Sequence, residues 1–131
     1  MKKSDWLKPI AKQILTMAQN KDITLVTSSA ALLEIYLVFY RDQDIGLIFE
    51  AITNLRDLPI DFVQMDDLVV HEGCAISTEV GATPFDSIYM ATTQKCDVSA
   101  ILSTDNKYKI FGDKWVDLKT RNWKQKLEGL L

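Results

Sequence analysis

"DITLVTSSAALLEIYLVFYR", residues 22–41, joins two patterns that belong to different secondary structures. Its first part, "DITLVTSS", is a short β-branched run of the kind that suits a strand. Its second part, "SAALLEIYLVFYR", is too long and too leucine-rich for a strand and continues as a helix. Ser28 or Ser29 stands where a cap for that helix is needed. A strand that passes directly into a helix is half of a repeating α/β unit, so the fold depends on whether the rest of the chain alternates in the same way.

It does so in both directions. Upstream, Leu7, Ile10, Ala11, Ile14, Met17 and Ala18 recur at helical spacing and predict a helix over about residues 9–19, with Pro9 tolerated in its first turn. Downstream, Ile45, Ile48, Ile52 and Leu55 mark a helix over about residues 44–55 that Pro59 brings to an end. "IDFVQM" is then a short strand. Asp66 or Asp67 caps a helix, "LVVHEGCAISTEV", that closes at Gly81. Thr83 and Pro84 open the next helix, cap first and proline at the first helical position, and it runs to about residue 95. "VSAILSTD" is a strand with almost no polar alternation, "KIFGDKWVDL" holds a last short strand, and residues 119–131 form a terminal amphipathic helix through Trp123, Leu127 and Leu130. The expected fold is α/β, a three-layer α/β/α arrangement with a mostly parallel central sheet. With no repeat and no Gly/Ser linker, residues 1–131 form a single domain.

Composition narrows the function classes. The 131 residues suffice for one real core and are few for two domains. A net charge of −3 argues against a generally basic surface for gripping nucleic acid, though not against a local basic rim. Two cysteines, Cys74 and Cys96, make no disulfide scaffold, and the amino-terminal residues lack the order of a secretion signal; a reducing, cytoplasmic setting is expected. The longest apolar stretch carries Glu34 and is too short to cross a bilayer, so no membrane span is expected. The glycines are scattered, and no phosphate-binding loop is present.

Parallel sheets gather their chemistry outside the carboxyl ends of the strands. Glu34 lies on the helix after "ITLVT", Asp86 in the first turn of the helix that Thr83 opens, and Asp105 directly after "AILST". Carboxylates crowded together repel and raise one another's pKa unless a cation offsets them. Ligation by oxygen alone suits magnesium or manganese, and such ions activate water against a phosphodiester.

In order and context, "LVTSSAALLEIYLVFYR", "FDSIYMATT" and "AILSTDNKYK" resemble three consecutive signatures of the PIN-domain family, which includes the toxin nucleases of prokaryotic toxin-antitoxin pairs. In that family one acid lies on the helix after the second strand and another begins the helix before the fourth. A third follows that strand in a [Ser/Thr]-x-Asp-x-x-aromatic pattern; Glu34, Asp86 and the segment from Ser103 to Tyr108 match in turn. The resemblance implies a ribonuclease with Glu34, Asp86 and Asp105 as catalytic residues and ligands of Mg2+ or Mn2+, and with Ser103 and Thr104 in support. It also implies an RNA substrate, an antitoxin protein as partner, and a homodimer.

Two departures accompany the resemblance. The family opens with a strand ending in Asp-Thr-Asn or a similar triplet, and this N-terminal β-α unit with its aspartate is missing here; Asp5, in "KKSDWLK", is no substitute. Lys107 stands where many members carry a further acid, and its amine is suited to contact a phosphate instead. The alternative is therefore a catalytically inactive PIN-like domain that binds protein or RNA.

Each candidate also has a plain structural role open to it. Asp86 suits a helix amino terminus, Glu34 could pair with Arg41, and Asp105 suits a turn after a strand. His71, Cys74 and Cys96 lack the paired spacing of a zinc site. Lys119, Arg121, Lys124 and Lys126 form either a solvated face or an RNA contact, with Trp123 and Leu127 behind them left to dock within the chain or against another copy.

Overall fold

The computed structural model describes residues 6–131, so Asp5 lies outside the described residues. Strands are interspersed with helices, and among the described residues every strand pairing is parallel. Helix α1 (Leu7–Gln19) leads to β1 (Leu25–Ser28), which enters α2 (Ala30–Arg41). A 3-10 turn (Ile45–Leu47) precedes α3 (Ile48–Arg56), and β2 (Ile60–Val63) follows. Then come α4 (Asp67–Val80), α5 (Pro84–Cys96) and β3 (Ile101–Ser103). A 3-10 segment (Asn106–Lys114), β4 (Trp115–Asp117) and α6 (Trp123–Leu130) complete the described chain.

Among the described residues the strands form two separate sheets of two strands, β1 with β2 and β3 with β4. In the first, Leu25 stands opposite Ile60 and Ser28 opposite Val63; in the second, Ile101 is opposite Trp115 and Ser103 opposite Asp117. The apolar run from Val98 to Ser103 thus supplies three residues of strand rather than its whole length.

Alternation along β3 and β4 sends successive side chains to opposite faces. Ile101 and Trp115 join Val69, Ile76, Met90 and Ala91 of α4 and α5 in one core. Leu102 and Val116 turn the other way, where Val116 packs with Ile14 of α1 and with Trp123 and Leu127 of α6. This sheet is therefore covered by helices on both faces. The apolar side of the carboxyl-terminal helix docks within the chain, with Trp123 6% and Leu127 2% exposed.

The junctions follow the local chemistry, with one reassignment. Ser28 Oγ, not Ser29, accepts from the Ala30 N–H (3.0 Å) at the start of α2. Ser29 Oγ instead accepts from the Met65 N–H (2.9 Å), fastening the chain beyond β2 to the strand–helix junction. Asp66 caps α4 by accepting from the Val69 N–H (2.9 Å), and Gly81 ends that helix at φ +70°, a left-handed conformation open to glycine.

The Val69 N–H bond, and then Lys95 at 3.2 Å, hold the Asp66 carboxyl below its usual pKa. A group with a depressed folded pKa stabilises the fold above its unfolded value, about 3.9, and that contribution is lost as pH falls through the lower folded value. Asp66→Asn keeps an acceptor for the cap but not the charge. It is expected to melt below the parent at neutral pH and to converge with it in acid, as thermal midpoints measured across pH will show.

Where α4 crosses α5, a Cβ on the buried Gly73 would meet Ile88 Cγ1 at 3.3 Å and the Ile88 backbone nitrogen at 3.6 Å. Gly73→Val drives two further carbons into that contact. A loss of about 1–3 kcal/mol is expected from overpacking, read from urea unfolding.

Candidate carboxylate site

Asp86 sits in the first turn of α5 because Thr83 caps that helix. The Thr83 hydroxyl accepts from the Asp86 N–H (3.4 Å) and donates to Asp86 Oδ2 (2.9 Å), so one side chain fixes both ends of the aspartate. The same Oδ2 lies 3.5 Å from Lys107 Nζ. The lysine that the sequence offered as a phosphate contact thus reaches an acid.

Glu34 points from α2 to α5. Its Oε1 accepts a 2.6 Å hydrogen bond from the Tyr89 hydroxyl. Arg41, the alternative partner, pairs with its neighbour Asp42 at 3.3 Å. Tyr89 and Asp86 are three residues apart on α5 and share a face, so the bond brings Glu34 to within one helical turn of Asp86 along that face. Tyr89 was not singled out from the sequence, although this spacing was visible there.

Asp105 follows β3 and holds its own turn. Its N–H donates to Ser103 Oγ (3.0 Å), and its Oδ1 accepts from the Lys107 N–H (2.9 Å). Ser103 is anchored in turn, since its carbonyl accepts from the Leu118 N–H (3.1 Å) and the Trp115 indole (3.3 Å). Asn106 accepts from Lys119 Nζ (3.1 Å), and Thr104 lies half-buried between these turns.

Two phenols register the combined charge. Burial raises the pKa of Tyr108, and the carboxylates of Asp86, Asp105 and Glu34 push it further in the same direction. Burial likewise raises Tyr89, followed by its hydrogen bond to Glu34 and the charges of Glu34 and Asp86. All three acids therefore bear on Tyr108, and Glu34 and Asp86 bear on Tyr89. An anionic phenol beside them is disfavoured, and Tyr89 serves as a hydrogen-bond donor to Glu34.

The donor chemistry, carboxylate oxygens on three elements, suits a hard divalent ion. Their convergence is looser than coordination demands: among the described residues no three His, Cys, Asp or Glu side chains stand close enough together to hold one ion. That statement covers His71, Cys74 and Cys96 as well. Lys107 supplies the positive charge beside Asp86 in this arrangement. Among the described residues no helix is long and apolar enough to cross a membrane.

No family model, no curated protein and no solved structure matches the chain.

Proposed function

We propose that the chain is a divalent-metal-dependent endoribonuclease of PIN type, the toxin of a toxin-antitoxin pair, with Glu34, Asp86 and Asp105 as its metal-holding acids. One observation carries the proposal: the Tyr89 hydroxyl ties Glu34 of α2 to the helix face that bears Asp86, at the end of the fold where Asp105 leaves β3. On this reading the two short sheets belong to the middle layer of a three-layer α/β/α fold. Bound Mg2+ or Mn2+ would supply water activation and charge neutralisation at the phosphodiester. Thr83 orients the Asp86 carboxylate, Tyr89 orients that of Glu34, and Ser103 holds the turn that presents Asp105. Lys107 offsets one acid and offers its ammonium to an RNA phosphate.

The assay is cleavage of several structured and single-stranded RNAs by the full chain, with manganese, with magnesium and with chelator. Metal-stimulated cleavage that depends on Asp86 is the expected result. The absence of such cleavage across the whole RNA set overturns the proposal.

The ion pair from Lys107 to Asp86 favours a second reading, a PIN-like domain that binds RNA or protein without cutting. The two readings part at Lys107→Ala. If Asp86 serves a metal, releasing it from an ammonium half exposed to solvent raises manganese affinity about twofold to fivefold in calorimetry. If the site does not take metal, the variant binds manganese no better than the parent.

An antitoxin or a second copy would find apolar surface on α2 and the chain after it. Tyr36, Leu37, Tyr40 and Leu47 are exposed there, and Phe49 is 84% exposed.

A further inference from the structure

Lys107 touches two of the three acids at once. Its backbone N–H donates to Asp105 Oδ1 (2.9 Å), and its ammonium lies 3.5 Å from Asp86 Oδ2. Among the described residues it is the one cation paired with any of the three, since the other ion pairs join Arg41 to Asp42, Lys95 to Asp66, Lys114 to Asp97 and Lys119 to Asp117. One oxygen of each acid is already engaged. Tyr89 holds Glu34 Oε1, the Lys107 N–H holds Asp105 Oδ1, and Thr83 shares Asp86 Oδ2 with the lysine.

The two holds of Lys107 break differently. Its N–H belongs to the main chain and stays with Asp105, whereas its ammonium ends a flexible stem on a side chain 48% exposed, so it can leave Asp86 without disturbing the turn. A divalent ion on Asp86 would share one carboxylate with this ammonium, and cations that close repel. Each therefore weakens the other's hold. A phosphodiester removes the conflict, because its anionic oxygens accept from the ammonium and draw it off the carboxylate.

We propose that Lys107 couples substrate to metal: without RNA its ammonium holds Asp86, an RNA phosphate draws it away, and the site then takes a divalent ion more tightly than it does alone. The proposal rests on the reading of Asp86 as a metal-holding acid and adds a regulation to it. Coupling between two ligands is reciprocal, so the metal strengthens RNA binding by the same factor. The lysine's share of that factor is limited to what a partly exposed ion pair is worth, about twofold to fivefold.

The probe is a short phosphorothioate RNA, which keeps the backbone charge and resists cleavage. Its affinity for the full chain is read by fluorescence polarisation in manganese and in chelator, and the ratio of the two affinities is the coupling. Calorimetry gives manganese binding with and without the RNA. Lys107→Gln is expected to shrink the ratio about twofold to fivefold while binding manganese more tightly than the parent when RNA is absent. Lys107→Arg, which keeps the charge, is expected to keep the ratio. Lys109 is exposed on the same 3-10 segment, and Lys109→Gln is expected to lower RNA affinity equally in both conditions. Three results overturn the proposal. A parental ratio in Lys107→Gln, with manganese still bound, removes the coupling and leaves the metal reading standing. A ratio that falls as far in Lys109→Gln makes the effect one of total charge. No manganese binding to the parent, with or without RNA, removes the coupling together with the metal reading beneath it.

Discussion

Alanine at Asp86 is expected to reduce manganese-stimulated RNA cleavage by about 100-fold or more while leaving the chain folded. The size follows from what the side chain would do: loss even of an outer partner to a metal ligand costs about 10- to 100-fold, and loss of a ligand costs no less. The structural cost is smaller. Asp86 contributes a negative charge at the amino terminus of α5, worth about 0.3–1 kcal/mol, while the Thr83 cap and Pro84 remain. Circular dichroism and the unfolding midpoint should therefore move little as activity disappears. Asp86→Asn sharpens the test, since it keeps size and a hydrogen-bond acceptor for Thr83 and removes the charge. If Asp86 only stabilises its helix, both variants melt slightly lower and any cleavage persists.

The local parts of this fold were legible in the sequence because local chemistry decides them. The cap of Thr83 followed by Pro84, the cap of Asp66 and the stop at Gly81 all lie within a few residues of the groups they serve. The terminal amphipathic helix was legible from periodicity, but where its apolar side docks was not, because that depends on Val116 and Ile14. Ser29 illustrates the same limit. Its position suggested a cap, yet its hydroxyl is taken by Met65, thirty-six residues away. The split into two sheets was hidden for the same reason, since parallel pairing joins segments through long crossovers and leaves no mark in either segment.

In the site, Glu34 stood out because a carboxylate on an apolar helix needs a partner. Spacing suggested Arg41, whereas the contact made is with Tyr89 on a distant helix. Lys107 could be seen to differ from an acid at that position. That its ammonium turns back toward Asp86 rather than outward depends on how α5 and the turn after β3 approach one another. The places of Asp86 in a first helical turn and of Asp105 directly after a strand were foreseeable; the lysine set beside Asp86 was not.

Trp123→Ala is expected to cost about 3–5 kcal/mol, a large part of the stability of a domain this size. Trp123 opens α6 and is 6% exposed, in a core with Val116, Leu118, Leu127 and Ile14. Removing the indole leaves a cavity whose walls belong to α1, β4 and α6, three elements that cannot collapse together without disturbing the β3–β4 pairing. Lys126 adds to the coupling, because its ammonium donates a 2.6 Å hydrogen bond to the Trp115 carbonyl and ties α6 to the start of β4. Chemical denaturation should show the midpoint falling with the slope kept, the mark of lost stability without a change of native compactness. Trp123→Phe, which refills much of the volume, should recover over half of the loss. If Trp123→Ala costs under about 1 kcal/mol, α6 is not a structural wall of this core, and the tryptophan is free to serve a contact between chains.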